Sequence, residues 1–461
     1  MAKGHAMPLL HLTRLLLARG LASKVTFFTT PRDSPFIRAS LAGAGAGAAV
    51  VVELPFPTDD INDGARPPQS MDDELASPSQ LADVVAASAA LRPAFAAAFA
   101  RLEPRPDVLV HDGFLPWAER AAADAGGVPR LVSYGMSAFA TYVAGAVTAH
   151  KPHARVGSPS EPFEVDGLPG LWFTRADLNP PFDEPEPTGP LWDLACETKA
   201  SMDSSEGIIV NSFMELETLC FDSWRRMSPV KLWPVGPLCI ASEPARNMDR
   251  DVLDWFDLWL AMGRPVLYVA FGSQAEVSRT QLEEIALGLD QSGLDFLWVV
   301  RSKWFDSEDR FKNRFGDKGK VYQGFIDQIG VLSHKSIKGF FSHCGWNSVL
   351  ESISMGVPIL AFPMAAEQKL NAKFVVDMLR VGLRVWPKKR EDDMENGLVA
   401  REEVQVMAKE LIFGEEGKRA STRVSELAVL SKKAMEIGGS SYKKLEEMVH
   451  EISELTRDKS M

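Results

Sequence analysis

Cysteine is scarce in this 461-residue sequence: Cys196, Cys220, Cys239 and Cys344 are all there is, widely spaced and with no C-x-x-C pair. Such spacing excludes a zinc ribbon and a disulfide framework and fits reduced thiols. Positive charge is also short, 50 Lys and Arg against 62 Asp and Glu, for a formal net charge of -12. The broad basic footprint that nucleic acid or an anionic membrane requires is therefore missing, and neither partner is expected. No run of about 18 apolar residues occurs, and the N-terminus has neither the basic region nor the small-residue cleavage site of a signal peptide, so a cytoplasmic location is expected. The histidines show no metal-ligand spacing, and no metal is expected. Small-molecule chemistry is what remains, carried on a chain that a prior of roughly 150 residues per domain divides into two or three.

Short apolar runs alternate with helical periodicities, the sequence form of a doubly wound parallel α/β sheet. In the first half, strands are expected over 25–29, 49–54, 107–110, 130–133 and 208–211. A second series follows in GRPVLYVAFGSQ, DFLWVV, KGFFSHC, VPILAFP and GLRVW. These patterns suggest an N-terminal domain over 1–239, a linker over 240–252, a C-terminal domain over 253–440 and a last helix over 441–461. The apolar stripe of that helix, from Tyr442 and Leu445 to Ile452 and Leu455, needs a partner, which the N-terminal domain is expected to supply.

The chain opens on GHAMP, with His5 ahead of an amphipathic helix expected over 8–19 from the spacing of Leu9, Leu12, Leu15 and Leu16, and Gly20 as its stop. GAGAGA at 43–48 satisfies G-x-G-x-x-A but precedes a strand, the reverse of a dinucleotide site, and reads as a loop. A nicotinamide-dependent oxidoreductase thus lacks its fingerprint. Two proline-rich stretches, 55–78 and 159–190, read as long loops.

The chemistry is concentrated in HCGWNS, where an apolar run over 338–341 leads through His343, Cys344 and Gly345 into a helical pattern. A strand-to-helix corner aims free backbone N–H groups and the positive helix end outward, a ready site for phosphate oxygens. Gly345 permits close approach. His343, Asn347 and Ser348 add donors, and Glu351, one turn on, can accept from ribose hydroxyls. Singly, Asn and Ser at a helix start are ordinary caps.

Residues 325–368 as a whole closely resemble the nucleotide-sugar signature, the PSPG box, of plant UDP-dependent glycosyltransferases, glycosyltransferase family 1. FGSQ at 271–274, NSFMELE at 211–217, HDGF at 111–114 and GHAMP at 4–8 are similar to further landmarks of that family, in the same order. The resemblance implies a GT-B fold: two facing Rossmann-like domains with a cleft between them and the donor held mainly by the C-terminal one. It implies that Gln328 binds the uracil, Glu351 the ribose, Ser273, His343, Asn347 and Ser348 the diphosphate, and Trp346, Glu367 and Gln368 the sugar. Phe325 stands where the family has a Trp stacked on uracil. Gln at the last signature position goes with glucose, so UDP-glucose is the expected co-substrate, with no cofactor and no metal.

By the same resemblance His5 is the general base, Asp112 orients it, and the reaction inverts the anomeric centre. The acceptor would be a flavonoid, other phenolic, terpenoid or hormone, touching Phe114, Ser137, Phe139 and Trp192, and the enzyme a monomer. Family members carry a hydrophobic strand immediately before the Gly-His motif, whereas only Met1 to Gly4 precede His5 here. The N-terminal domain is accordingly expected to lack its first strand, and the alternative reading is a UDP-sugar-binding but catalytically impaired product of a truncated gene.

Overall fold

The computed structural model describes residues 3–45, 47–56, 78–124, 127–241, 248–272, 277–300, 315–387 and 397–458. The chain divides into two units: Met1–Gly170, Pro180–Ser242 and Lys433–Met461 form the first, and Leu171–Asn179 with Glu243–Lys432 the second.

The first unit opens on α1 (Lys3–Ala18), which begins ahead of Pro8 where the leucine spacing alone starts it at Pro8. Pro8 thus lies inside the helix, in its second turn, with no N–H to offer the Gly4 carbonyl. Gly20 ends the helix at φ +64°. Its N–H donates to Leu17 O (3.1 Å) and that of Leu21 to Leu16 O (2.9 Å), the Schellman pair of bonds. The strand β1 (Val25–Thr29), then α2 (Ser34–Leu41), leads to β2 (Ala49–Glu53), parallel to β1. The glycine-rich turn between α2 and β2 holds Gly43, Gly45 and Gly47 at φ +85°, +95° and +83°, a conformation only glycine adopts readily.

Helices α3 (Pro78–Ser88) and α4 (Arg92–Phe99) precede β3 (Leu109–Asp112), α5 (Pro116–Asp124), β4 (Arg130–Tyr134) and α6 (Ala138–His150). Next come α7 (Pro190–Asp203), β5 (Gly207–Val210), α8 (Met214–Met227) and β6 (Leu232–Pro234). Strands β3-β4-β5-β6 form a parallel sheet in that order. The third strand lies two residues later than the expected 107–110, because its ladder starts where Leu109 N–H donates to Pro129 O (3.0 Å). That shift puts Asp112 at its last position. No described strand precedes α1, and β1 and β3 share no ladder among the described residues. The helix α1 touches both sheets: Ala6 and Leu10 pack with Phe27 of β1, and Leu12 and Leu15 with Leu131 and Ile209 of β4 and β5. One stretch among the described residues, Leu81–Phe99, is long and apolar enough to cross a membrane by length and composition. Here Leu91, Phe95 and Phe99 pack beside Leu109 and Trp117 in the core.

The second unit runs α9 (Arg250–Ala261), β7 (Val266–Ala270), α10 (Arg279–Ser292), β8 (Asp295–Val300), β9 (Gly319–Gln323), α11 (Gln328–Ser333) and β10 (Ile337–Ser342). It continues through α12 (Trp346–Met355), β11 (Ile359–Ala361), α13 (Gln368–Lys373), β12 (Gly382–Arg384), α14 (Arg401–Phe413) and α15 (Glu415–Met435). Its six strands are parallel in the order β9-β8-β7-β10-β11-β12. That is the order 3-2-1-4-5-6 of a Rossmann sheet, whose topological switch point lies between β7 and β10. Both faces are covered: Leu267 and Phe341 belong to one apolar cluster, Tyr268 and Phe340 to the other. This is why β7, β8 and β10 read as apolar runs. The last helix, α16 (Ser440–Asp458), belongs to the first unit and sets Leu445, Met448 and Ile452 against Leu12, Leu131 and Trp233.

Candidate active site

Ligands of open parallel sheets bind beyond the carboxyl ends of the strands at the switch point, which in the second unit is the corner after β10. Between Ser342 and Trp346 the chain turns through Cys344 in the left-handed region at φ +64°. That strained residue is held at both polar groups. Its N–H donates to Ser342 Oγ (3.2 Å) and its carbonyl accepts from Asn371 Nδ2 (3.0 Å). Burial pushes its thiol up to about 12, so it is no nucleophile at neutral pH. A Cβ on Gly345 would stand 2.5 Å, and one on Gly272 2.6 Å, from His343 Nε2. Two glycines thus clear the space that the His343 imidazole occupies at the start of α12. Ser273 lies outside the described residues.

Around this corner, Gln328 donates from Nε2 to Glu351 Oε2 (2.7 Å) and Ser348 Oγ (2.9 Å) and accepts on Oε1 from the Tyr268 hydroxyl (3.2 Å). Three of the expected site residues are therefore joined in one network. Burial pushes the Glu351 carboxyl up to about 7, opposed by the Gln328 bond and assisted by the charge of Asp327. The Tyr268 phenol is pushed up by burial too. Gln368 accepts on Oε1 from the N–H groups of Met364 and Ala365 (3.0 Å each). Its neighbour Glu367 accepts from Asn371 Nδ2 at 3.3 Å. Asn347 is half-buried in the first turn of α12. The Trp346 ring is buried, 6.3 Å from that of Phe374, whereas Phe325 is 80% exposed. Tyr268 and Asn371 escape sequence reasoning. The one signal for Tyr268 is a phenol inside an apolar strand, which needs a hydrogen-bond partner.

In the first unit, His5 lies in the first turn of α1 with Nδ1 3.2 and 3.1 Å from the two carboxylate oxygens of Asp112. Asp112 ends β3, is 3% exposed and also accepts the N–H of Phe114 (2.9 Å). Burial alone would raise its pKa. The charge and hydrogen bond of His5, with the Phe114 N–H, outweigh that and hold the carboxyl below its ordinary value. A carboxylate only accepts, so when the ring is neutral the proton stays on Nδ1, facing Asp112, and the lone pair is on Nε2. The Phe114 ring stands 5.1 Å from the imidazole. A Cβ on Gly135, just past β4, would lie 2.9 Å from His5 Cδ2, so this turn approaches the ring because it is glycine.

Ser137 caps α6 through Ala140 N–H (3.0 Å), and it and Phe139 are fully buried. Phe114 and Trp192 keep partial exposure. Beneath this turn Glu217 accepts the N–H of Phe139 (2.7 Å), and burial pushes its carboxyl up to about 7. Among the described residues no group of three or more His, Cys, Asp or Glu is arranged to hold a metal ion.

Residues 249–401 match the family described as UDP-glucoronosyl and UDP-glucosyl transferase. Over 464 residues, 98% of this chain and 96% of that protein, the sequence is 40% identical to UDP-glycosyltransferase 90A2 of Arabidopsis thaliana. Scopoletin glucosyltransferase of Nicotiana tabacum is 33% identical over 98% of this chain and 96% of its own length. Among solved structures, Glycyrrhiza uralensis UGT73P12, complexed with glycyrrhetinic acid 3-O-monoglucuronide, matches with a TM-score of 0.85 at 30% identity, covering 100% of this chain and 95% of that one. Phytolacca americana UGT2, complexed with UDP-2fluoro-glucose and pterostilbene, matches with a TM-score of 0.80 at 28% identity over 98% of each chain.

Proposed function

This chain belongs to the UDP-glucoronosyl and UDP-glucosyl transferase family, and from that premise we propose that it transfers glucose from UDP-glucose to a hydroxyl of a small lipophilic acceptor, a flavonoid, other phenolic, terpenoid or hormone. It is a glycosyltransferase of the GT-B fold. The observation that carries the proposed transfer step is the His5–Asp112 pair, an imidazole whose Nδ1 faces a buried carboxylate.

In this reading the second unit holds the donor. Phe325 offers its exposed ring to uracil, Gln328 and Glu351 take the nucleoside, and Ser273, His343, Asn347 and Ser348 with the N-terminus of α12 take the diphosphate. Glu367 accepts from sugar hydroxyls and Gln368 donates to them, with Trp346 packed behind. Glucose as the donated sugar is supported by Gln368 and by the UDP-2fluoro-glucose bound to Phytolacca americana UGT2.

His5 Nε2 removes the proton from the acceptor hydroxyl as its oxygen attacks the anomeric carbon. The bond from that carbon to the diphosphate oxygen breaks, and its electron pair leaves with UDP, whose charge α12 and the His343 region stabilise. Asp112 stabilises the imidazolium that forms. Attack opposite the leaving group converts the α-linked donor into a β-glucoside. Phe114, beside His5, and Trp192 are assigned to the acceptor, with Ser137 and Phe139 shaping that wall from within. Incubation with UDP-glucose and a panel of phenolic and terpenoid alcohols tests this: mass spectrometry should find one added hexose, and the proton coupling of the product should report a β linkage. An α linkage would contradict the single displacement.

A further inference from the structure

We propose that Asn371 is a positioning residue for the donor sugar, one buried carboxamide that orients Glu367 and at the same time fixes the turn carrying His343. The proposal rests on the reading of Glu367 as a sugar contact. Asn371 lies on α13 and is fully buried. Its Nδ2 donates to two acceptors on separate segments, Cys344 O at 3.0 Å, 27 residues earlier in the chain, and Glu367 Oε1 at 3.3 Å, one helical turn back. Both partners only accept there, so the position needs two hydrogens on one atom. Aspartate supplies none when ionised, and an apolar residue of the same size leaves the Cys344 carbonyl buried without this donor.

The two ends of this bridge differ in what they control. Cys344 is a non-glycine residue at φ +64°, a conformation that persists only where tertiary contacts determine it. It is flanked by His343 and Gly345, the start of the anion-facing corner. Glu367 is held by a charge-assisted bond that limits the directions its carboxylate can face. Coupling them makes sugar recognition depend on the geometry of the corner that receives the diphosphate, although the sugar-facing acid and the corner come from different strand-to-helix connections.

Calorimetry with UDP and with UDP-glucose tests this on the parent chain, Glu367→Ala, Asn371→Ala, Asn371→Asp and the double Glu367→Ala/Asn371→Ala variant. The expected result is a fall of about tenfold in UDP-glucose affinity relative to UDP for either Asn371 variant, the loss of one hydrogen bond to a charged group. UDP affinity should fall by less, about threefold, as the Cys344 end of the bridge loosens the corner that receives the diphosphate, and the double variant should show less than the sum of the single effects. Asn371→Asp keeps the shape of the side chain and carries the test if the alanine variant fails to fold. An unchanged affinity ratio in Asn371→Asp alongside a lowered ratio in Glu367→Ala would overturn the positioning role and leave the sugar contact standing. A ratio unchanged in Glu367→Ala would overturn the sugar contact and this proposal with it. Equal losses of UDP and UDP-glucose would make Asn371 a structural residue and nothing more.

Discussion

Nδ1 of His5 lies 3.1 Å from Oδ2 of Asp112, a contact between residues 107 positions apart. One stands in the first turn of a helix and the other at the carboxyl end of a strand. Their pairing fixes which nitrogen of the neutral imidazole keeps the proton and which carries the lone pair.

Replacing Asp112 by Asn keeps the shape but removes the obligate acceptor, so the ring loses its fixed tautomer. We expect kcat to fall by about a hundredfold or more with little change in donor KM. Steady-state kinetics at saturating donor checks it; a kcat within threefold of the parent would separate the pair from the chemistry.

Gly135→Ala places a methyl group 2.9 Å from His5 Cδ2, which forces the ring or the turn to move. A displacement of about 1 Å at the base is worth roughly a hundredfold in rate. UDP-glucose binding, measured by calorimetry, should be unaffected, since the change lies in the other unit.

Glu351 holds its proton to about 7 in the folded chain against an ordinary 4.5. The folded state therefore gains stability from this proton fully below about 4.5 and loses it as pH rises through about 7. Ribose hydroxyls donate, so they favour the ionised form, and UDP affinity should climb between pH 6 and 8, by up to about tenfold per pH unit below 7. Glu351→Gln should flatten that climb and lower affinity at pH 8. An identical pH profile in the variant would remove Glu351 from the nucleoside site.

Phe325, 80% exposed, is available as a stacking surface. Phe325→Trp enlarges that surface without touching the core, and base stacking on aromatics is worth about 1–3 kcal/mol. UDP should bind several-fold more tightly to the variant in calorimetry, with no change in thermal stability.

Much of the second unit was legible because its physics is local. Buried parallel strands appear as unbroken apolar runs, and the passage from KGFFS through Gly345 into the α12 pattern marks a helix N-terminus where phosphate chemistry belongs. Glu351, one turn into that helix, follows from the same spacing. The strands Leu232–Pro234 and Gly319–Gln323 were not legible: the first is three residues long and the second is only half-buried, so neither has a run to show. Tyr268, Asn371 and Gly135 act through partners 60, 27 and 130 positions away. No periodicity encodes such distances, and only the folded chain reveals that a phenol, a carboxamide and a missing Cβ meet Gln328, the Cys344 turn and His5.

The central claim is that His5 removes the acceptor proton. The most direct measurement is kcat/KM for glucosyl transfer by His5→Ala against the parent chain, on an acceptor found by mass spectrometry, with UDP-glucose binding to both verified by calorimetry. The account predicts a loss of about 10²–10⁴ in kcat/KM at unchanged donor affinity. Transfer by His5→Ala at the parent's rate would contradict it.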